Sequence, residues 1–183
     1  SFPKYLEEEI GVKGNDCDLM LPYIIKSVRQ LENAGADFIV MPCNTLHELL
    51  PKLRKLFKIR FVDLIEEASK KISGNYKKIG VLCTNKTRKE RLYDSILKNI
   101  EVIYPNEFEQ EKVSEIIVKI IRGKQTIEDK IYLKRLINRL VENGAEKVLL
   151  ACTDLINLIG NNEYTLDTTQ ILIDSTIMEM FKE

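Results

Sequence analysis

The sequence predicts an α/β fold of two similar parallel-sheet lobes related by a pseudo-twofold, with a cleft between them. Three observations carry this. Short apolar runs alternate with longer segments of helical periodicity along the chain, the rhythm of parallel α/β sheets. The segment "NAGADFIVMPC" is echoed by "NGAEKVLLAC" at an offset of 109 residues, which lays Leu31 on Leu140, Gly35-Ala36 on Gly144-Ala145 and Cys43 on Cys152. Each copy runs from a helical stretch, through a glycine, into an apolar run that ends in cysteine.

The elements follow in order. Residues 20–34, "MLPYIIKSVRQLENA", carry apolar positions at helical spacing and stop at Gly35, a natural C-terminal cap. "ADFIVM" is a short, nearly all-apolar run, as expected of a strand covered on both faces. Thr45-Leu-His-Glu48 reads as a capping box, and Pro51 splits the helix that follows or begins a second one. "RFVDLI" is the next strand, with a helix over "EEASKKI" ending near Gly74. The second half starts with the strand "KKIGVLC", a capping box at Thr87-Arg-Lys-Glu90, and a helix over "RLYDSILKN". "EVIYP" is a strand, and "FEQEKVSEIIVKIIRG" and "IEDKIYLKRLINRLVEN" are helices closed by Gly123 and Gly144. "EKVLLA" is a strand that delivers Cys152, "TDLINLI" a short helix, "YTLD" a strand and "TQILIDSTIMEMFKE" the closing helix. No linker separates the halves. Ser73-Gly74-Asn75 is the expected boundary, with residues 1–74 and 164–183 in the first lobe and 75–163 in the second.

Composition narrows the function. Lys+Arg and Asp+Glu number 28 each, so no net field draws in nucleic acid or an anionic membrane. No apolar run reaches the roughly 20 residues that span a bilayer, and "SFPKYLEEEIG" lacks the apolar core of a signal peptide. The expectation is a cytoplasmic protein without nucleic-acid or membrane partners. Cys17, Cys43, Cys83 and Cys152 are far apart and form no C-x-x-C, unlike a disulfide framework or a structural zinc site. Cys43 and His47 are four apart and could share a helix face, but His47 is the only histidine, so no metal is expected.

The repeated cysteines carry the chemistry. In parallel α/β sheets ligands bind just past the carboxyl ends of strands. Cys43 and Cys152 stand there, each directly before a helix start, whose partial positive charge stabilises a thiolate. Inverting a carbon stereocentre requires taking a proton from one face and returning one to the other, and two facing thiols do this by exchanging roles. A lone cysteine at a strand end is more often a core filler. Two at one phase of a repeat shift that balance, whereas Cys17 and Cys83 show no such pairing and are read as structural.

"GADFIVMPCNTLH" together with "GAEKVLLACTDL" resembles the aspartate/glutamate racemase superfamily, and most its aspartate racemase branch. The resemblance covers nearly the whole chain. It implies two α/β lobes, Cys43 and Cys152 as the acid/base pair, no pyridoxal phosphate or other cofactor, an acidic amino acid as substrate, and a homodimer. Asn44, Thr45 and Thr153 match segments that hold the substrate's α-carboxylate and ammonium ends. "LCTNKT" matches a threonine loop, which makes Thr84 and Thr87 candidates for carboxylate contacts, with Lys86 where the family has glycine. Arg122, or Lys124 next to it, matches the basic residue that reads the side-chain carboxylate; either would also favourably cap a helix C-terminus. Asp154 stands where the family mostly has Glu and could orient Cys152 or the substrate ammonium, or simply be a favourable first-turn acid. His47 is expected as support behind the site rather than as a proton carrier. Family members begin with a glycine-rich strand and helix that this sequence does not contain, and Tyr5 stands near the place of a substrate-contacting arginine. The competing readings are an isomerase of another carbon acid, such as a hydantoin or maleate, and a non-catalytic homologue that binds dicarboxylic amino acids.

Overall fold

The apolar runs become short parallel strands, and the periodic segments become the helices that cover them. The structure is a computed structural model that describes residues 6, 8–160 and 162–182. Its strands are β1 (Phe38–Val40), β2 (Arg60–Val62), β3 (Lys78–Cys83), β4 (Glu101–Ile103), β5 (Lys147–Ala151) and β6 (Thr165–Asp167). Its α-helices are α1 (Leu21–Asn33), α2 (Leu50–Leu56), α3 (Leu64–Ile72), α4 (Asn85–Lys89), α5 (Glu107–Ile121), α6 (Ile127–Glu142), α7 (Thr153–Ile159) and α8 (Thr168–Met180). Further helical segments are a π-helical turn at Glu8–Val12 and 3₁₀ turns at Cys17–Met20 and Thr45–Leu49. Among the described residues no helix is long and apolar enough to cross a membrane.

β1 and β2 form a two-stranded parallel sheet, and the other sheet runs β4-β3-β5-β6, again all parallel. Successive side chains on a strand point to opposite faces. Ile79, Val81, Leu149 and Ala151 therefore pack with Ile65, Ala68, Ile72 and Ile171 of α3 and α8. Leu82, Val148 and Leu150 pack on the opposite face with α5, α6 and α7. Covered on both sides, these strands have no polar face, which is why the sequence shows an apolar run and not an alternation.

The 109-residue echo is also an echo of hydrogen bonds. Gly35 and Gly144 hold φ of 83° and 95°, left-handed values that glycine tolerates. The Ala36 N–H donates to the Leu31 carbonyl and the Ala145 N–H to the Leu140 carbonyl, each at 3.0 Å. The glycine N–H groups reach Glu32 and Val141, so both helices end in the same Schellman motif. A second echo was not legible in the sequence. Asp63 just after β2 and Asp167 at the end of β6 each accept a first-turn N–H of the following helix, and those helices, α3 and α8, pack together. The two sheets differ at one edge. β5 lies between β3 and β6, whereas β1, its counterpart, has β2 as its one neighbour among the described residues.

Three expectations change. The capping box at Thr45–Glu48 does not form: Asn44 precedes the 3₁₀ turn without a side-chain cap, and Thr45 and Glu48 bond elsewhere. The helix expected over "RLYDSILKN" starts earlier and is short. Thr84 caps it by accepting the Thr87 N–H, it ends at Lys89, and Arg91 at φ 51° turns the chain away. Segment 164–183, expected whole in the first lobe, touches both sheets: β6 hydrogen-bonds along β5, while α8 packs against α3, β2 and β5. The expected boundary at residues 73–75 falls in the turn between α3 and β3, where Gly74 has φ 80°. Pro51 opens α2, and Tyr5 lies outside the described residues.

Candidate active site

The chain segments that leave β1, β3 and β5 at their carboxyl ends meet at one cleft of about 460 Å³. Cys43, Asn44 and Thr45 line it after β1, Thr84 after β3, and Cys152, Thr153 and Asp154 after β5. Ile117 and Ile121 of α5 close one side and Ile24 and Val28 of α1 another. The two cysteines of the repeat thus share one cavity. Cys17 and Cys83 instead sit fully buried in two different apolar clusters. Among the described residues no group of three or more His, Cys, Asp or Glu converges as a metal would require.

Cys43 is half-buried and Cys152 buried. Cys152 is the N-cap of α7, and its Sγ lies 3.7 Å from Oδ2 of Asp154, to which it donates. Burial pushes the Cys152 thiol well above its ordinary value, and the Asp154 carboxylate beside it pushes the same way. The expected helix-terminus depression is overturned here, because desolvation and a neighbouring anion outweigh the start of a two-turn helix. Both causes favour the protonated thiol at Cys152. Burial also raises the Asp154 carboxyl, against the thiol's hydrogen bond, which lowers it.

Behind the cleft the two halves are joined by hydroxyls. Thr45 Oγ1 lies 2.9 Å from Thr84 Oγ1 and 3.0 Å from Thr87 Oγ1, and Thr84 and Thr87 are 3.1 Å apart. Thr87 is fully buried and stands behind the cleft wall, whereas Thr84 and Thr45 are in it. Lys86, between Thr84 and Thr87, is itself buried and turns away from the cleft to two part-exposed acids, 2.9 Å from Glu90 and 3.3 Å from Glu48. It therefore ties the β3 loop to the 3₁₀ turn that carries Thr45.

Asn44 and His47 are both occupied. Asn44 Nδ2 donates to Thr168 Oγ1 at 3.1 Å, its Oδ1 accepts from the Tyr93 hydroxyl, and Thr168 donates onward to the Leu150 carbonyl at 2.9 Å. Its amide spans the two sheets, so a substrate would meet its backbone and not a free side chain. His47 Nε2 accepts the Leu64 N–H at 3.0 Å, which leaves Nδ1 protonated to donate to the Cys43 carbonyl at 2.7 Å. Burial lowers the His47 pKa, and with both nitrogens engaged this ring holds the Cys43 backbone in place.

Arg122 and Lys124 are not brought into the lining. Both are exposed past the end of α5, and Arg122 forms a two-pronged ion pair with Glu8, Nε to Oε2 at 3.1 Å and Nη2 to Oε1 at 2.5 Å. Glu8, Tyr93 and Thr168 went unread in the sequence. No local motif marks any of them, and each acquires its partner across at least 49 residues of chain.

Comparison with known proteins agrees with this architecture. The sequence model of the Asp/Glu/hydantoin racemase family matches residues 8–178. The broad-specificity amino-acid racemase RacX of Bacillus subtilis is 29% identical over 167 residues, covering 88% of this chain and 73% of that protein. The aspartate racemase of Picrophilus torridus superposes with a TM-score of 0.78 at 24% identity, over 96% of this chain and 74% of that one. An aspartate racemase homologue from Pyrococcus horikoshii gives 0.74 at 24% identity, over 88% and 74%. These likenesses below 25% identity show a shared fold, and the match across residues 8–178 shows more: the chain belongs to the Asp/Glu/hydantoin racemase family.

Proposed function

We propose that the chain is a cofactor-independent amino-acid racemase in which Cys43 and Cys152 work from opposite walls of one cleft. The observation that carries this reading is that two thiols at equivalent points of an internal repeat line the same cavity. A thiolate at Cys43 would take the α-proton, and the S–H of Cys152 would return a proton to the opposite face. Cys43 is then a thiol and Cys152 a thiolate, poised for the reverse direction. The neutral state of Cys152 suits its role as acid, and Asp154, which already accepts its S–H, is placed to help remove that proton when Cys152 must act as base. Thr45, Thr84 and Thr153, with N–H groups at the start of α7, would hold the α-carboxylate.

Aspartate is the substrate the sequence motifs point to. The Bacillus relative is named for broad specificity, which speaks for a wider range of amino acids. An isomerase of hydantoins or maleate stays the second enzymatic reading, since the same thiols would serve another carbon acid. Homodimerisation, implied by the family resemblance, is part of the proposal, and light scattering on the purified chain tests it.

The test is α-deuteration in D₂O followed by NMR, with enantiomer ratios from chiral chromatography across amino acids, a hydantoin and maleate. Cys43→Ser and Cys152→Ser should each lower racemisation by about 10²–10⁴-fold, the usual contribution of a positioned acid or base. Cys17→Ser and Cys83→Ser should keep the parental rate and lose only stability. Racemisation at the parental rate by Cys152→Ser would leave the mechanism with one thiol and end the two-base reading.

A further inference from the structure

Three cations of the segments around the cleft are paired with carboxylates of the same chain. Arg122 is held by both oxygens of Glu8, Lys13 pairs with Glu9, and Lys86 sits between Glu48 and Glu90. Among the described residues that line the cleft, Asp154 is the one Asp, Glu, Lys or Arg, and it is an acid. The cleft wall nearest the Glu8–Arg122 pair is apolar. Ile10, two residues after Glu8 in the same π-helical turn, lines it together with Ile117 and Ile121 on the last turns of α5, just before Arg122.

We propose that this site takes amino acids with uncharged, mainly apolar side chains, and that Glu8 is the residue that excludes acidic ones. The proposal rests on the two-thiol reading for the position of the α-carbon and departs from the aspartate that the sequence motifs suggest by naming a different side chain. A guanidinium fork accepts one carboxylate in two-pronged fashion, and Glu8 already fills that role on Arg122. Glu8 is tethered a short distance away, so a substrate carboxylate competes against an internal rival present at high effective concentration. The exposed pair is weak by itself. The local charge adds to it: a second substrate anion would enter a cleft whose described lining holds the acid Asp154 and no lysine or arginine. An apolar side chain meets Ile10, Ile117 and Ile121, where removal from water favours it.

The experiment is calorimetric titration of the 183-residue chain with methionine and with aspartate, each as both enantiomers, repeated on Glu8→Gln, Glu9→Gln and Glu8→Gln/Arg122→Ala. Binding is measured because it does not depend on turnover. The chain as it stands should bind methionine at least about tenfold tighter than aspartate, the discrimination expected of one charge-assisted contact withheld. Glu8→Gln should raise aspartate affinity about tenfold with little change for methionine, Arg122→Ala in addition should cancel that gain, and Glu9→Gln should behave as the parent. Equal or tighter aspartate binding by the parent, no gain in Glu8→Gln, or binding of neither amino acid would each overturn the proposal. Methionine binding without α-deuteration would sink the racemase mechanism and leave the assignment of the side-chain subsite standing.

Discussion

At the residue scale, the cleft is held by side chains that stand behind its lining. His47 is the clearest case. Its ring is buried, its Nε2 takes a backbone N–H and its Nδ1 proton is given to the Cys43 carbonyl, so only the neutral ring fits. A histidine whose folded pKa is depressed binds fewer protons in the native state than in the unfolded one. Its contribution is therefore complete above about pH 6.5, the unfolded value, and is lost as pH falls from there through the lower folded value. Thermal melts of the parent should lose stability progressively below about pH 6.5, and His47→Gln should flatten that part of the curve. Parallel pH profiles for the two proteins would show that the ring does not titrate as its contacts require.

At the scale of elements, the two helix-to-strand joints that deliver Cys43 and Cys152 depend on one conformation each. Gly35 and Gly144 sit at φ 83° and 95° between a helix end and the strand it feeds. An added Cβ at Gly35 would meet nothing within 4 Å, and at Gly144 only the Lys78 side chain at ordinary contact distance. Any cost of alanine is then a backbone cost, about 1–2 kcal/mol for a left-handed non-glycine residue. In a chain of this length each 1 kcal/mol lowers the melting temperature by about 2–4 °C. Gly35→Ala and Gly144→Ala should therefore fall by similar amounts in calorimetry. Gly80 is different in kind: a Cβ there would lie 3.1 Å from Val148 and 3.3 Å from Leu140, so alanine at position 80 meets packing and not strain. A large difference between Gly35→Ala and Gly144→Ala would mean the two joints are not equivalent.

At the scale of the molecule, the halves are locked together by polar groups from both. Asn44, Tyr93 and Thr168 form one buried chain from the β1 loop to the start of α8, and Lys86 with Glu48 forms a second tie. Removing the Asn44 amide or the Tyr93 hydroxyl leaves one buried polar atom of the other without its bond, which costs about 1–3 kcal/mol. Asn44→Ala and Tyr93→Phe should each destabilise the protein by that order, and the double variant should lose clearly less than the two losses added, because they break one network. Additive losses in a double-mutant cycle would show that the Tyr93 hydroxyl and the Asn44 amide act independently. The same scale shows where the repeat is incomplete. Leu140 is fully buried beneath Gly80 of β3, while its counterpart Leu31 is 47% exposed beside β1, which lacks a β3-like neighbour among the described residues.

The sequence by itself determined the order and kind of the elements and the two cysteines of the repeat, because these rest on local rules. Apolar runs of strand length, helical spacing and a glycine where a left-handed turn is needed all act within about ten residues of chain. It misread the capping box at Thr45–Glu48 for a physical reason: the hydroxyl of Thr45 and the carboxylate of Glu48 have partners across the fold, in Thr84, Thr87 and Lys86, and not in their own helix turn. The state of Cys152 was also a tertiary matter, since the helix start is local but the burial that overrides it comes from α5 and α6. So was the fate of Arg122. Its position at the end of α5 is written in "IIRGK", but its charge is answered by Glu8, which lies 114 residues earlier, and only folding brings the two into contact.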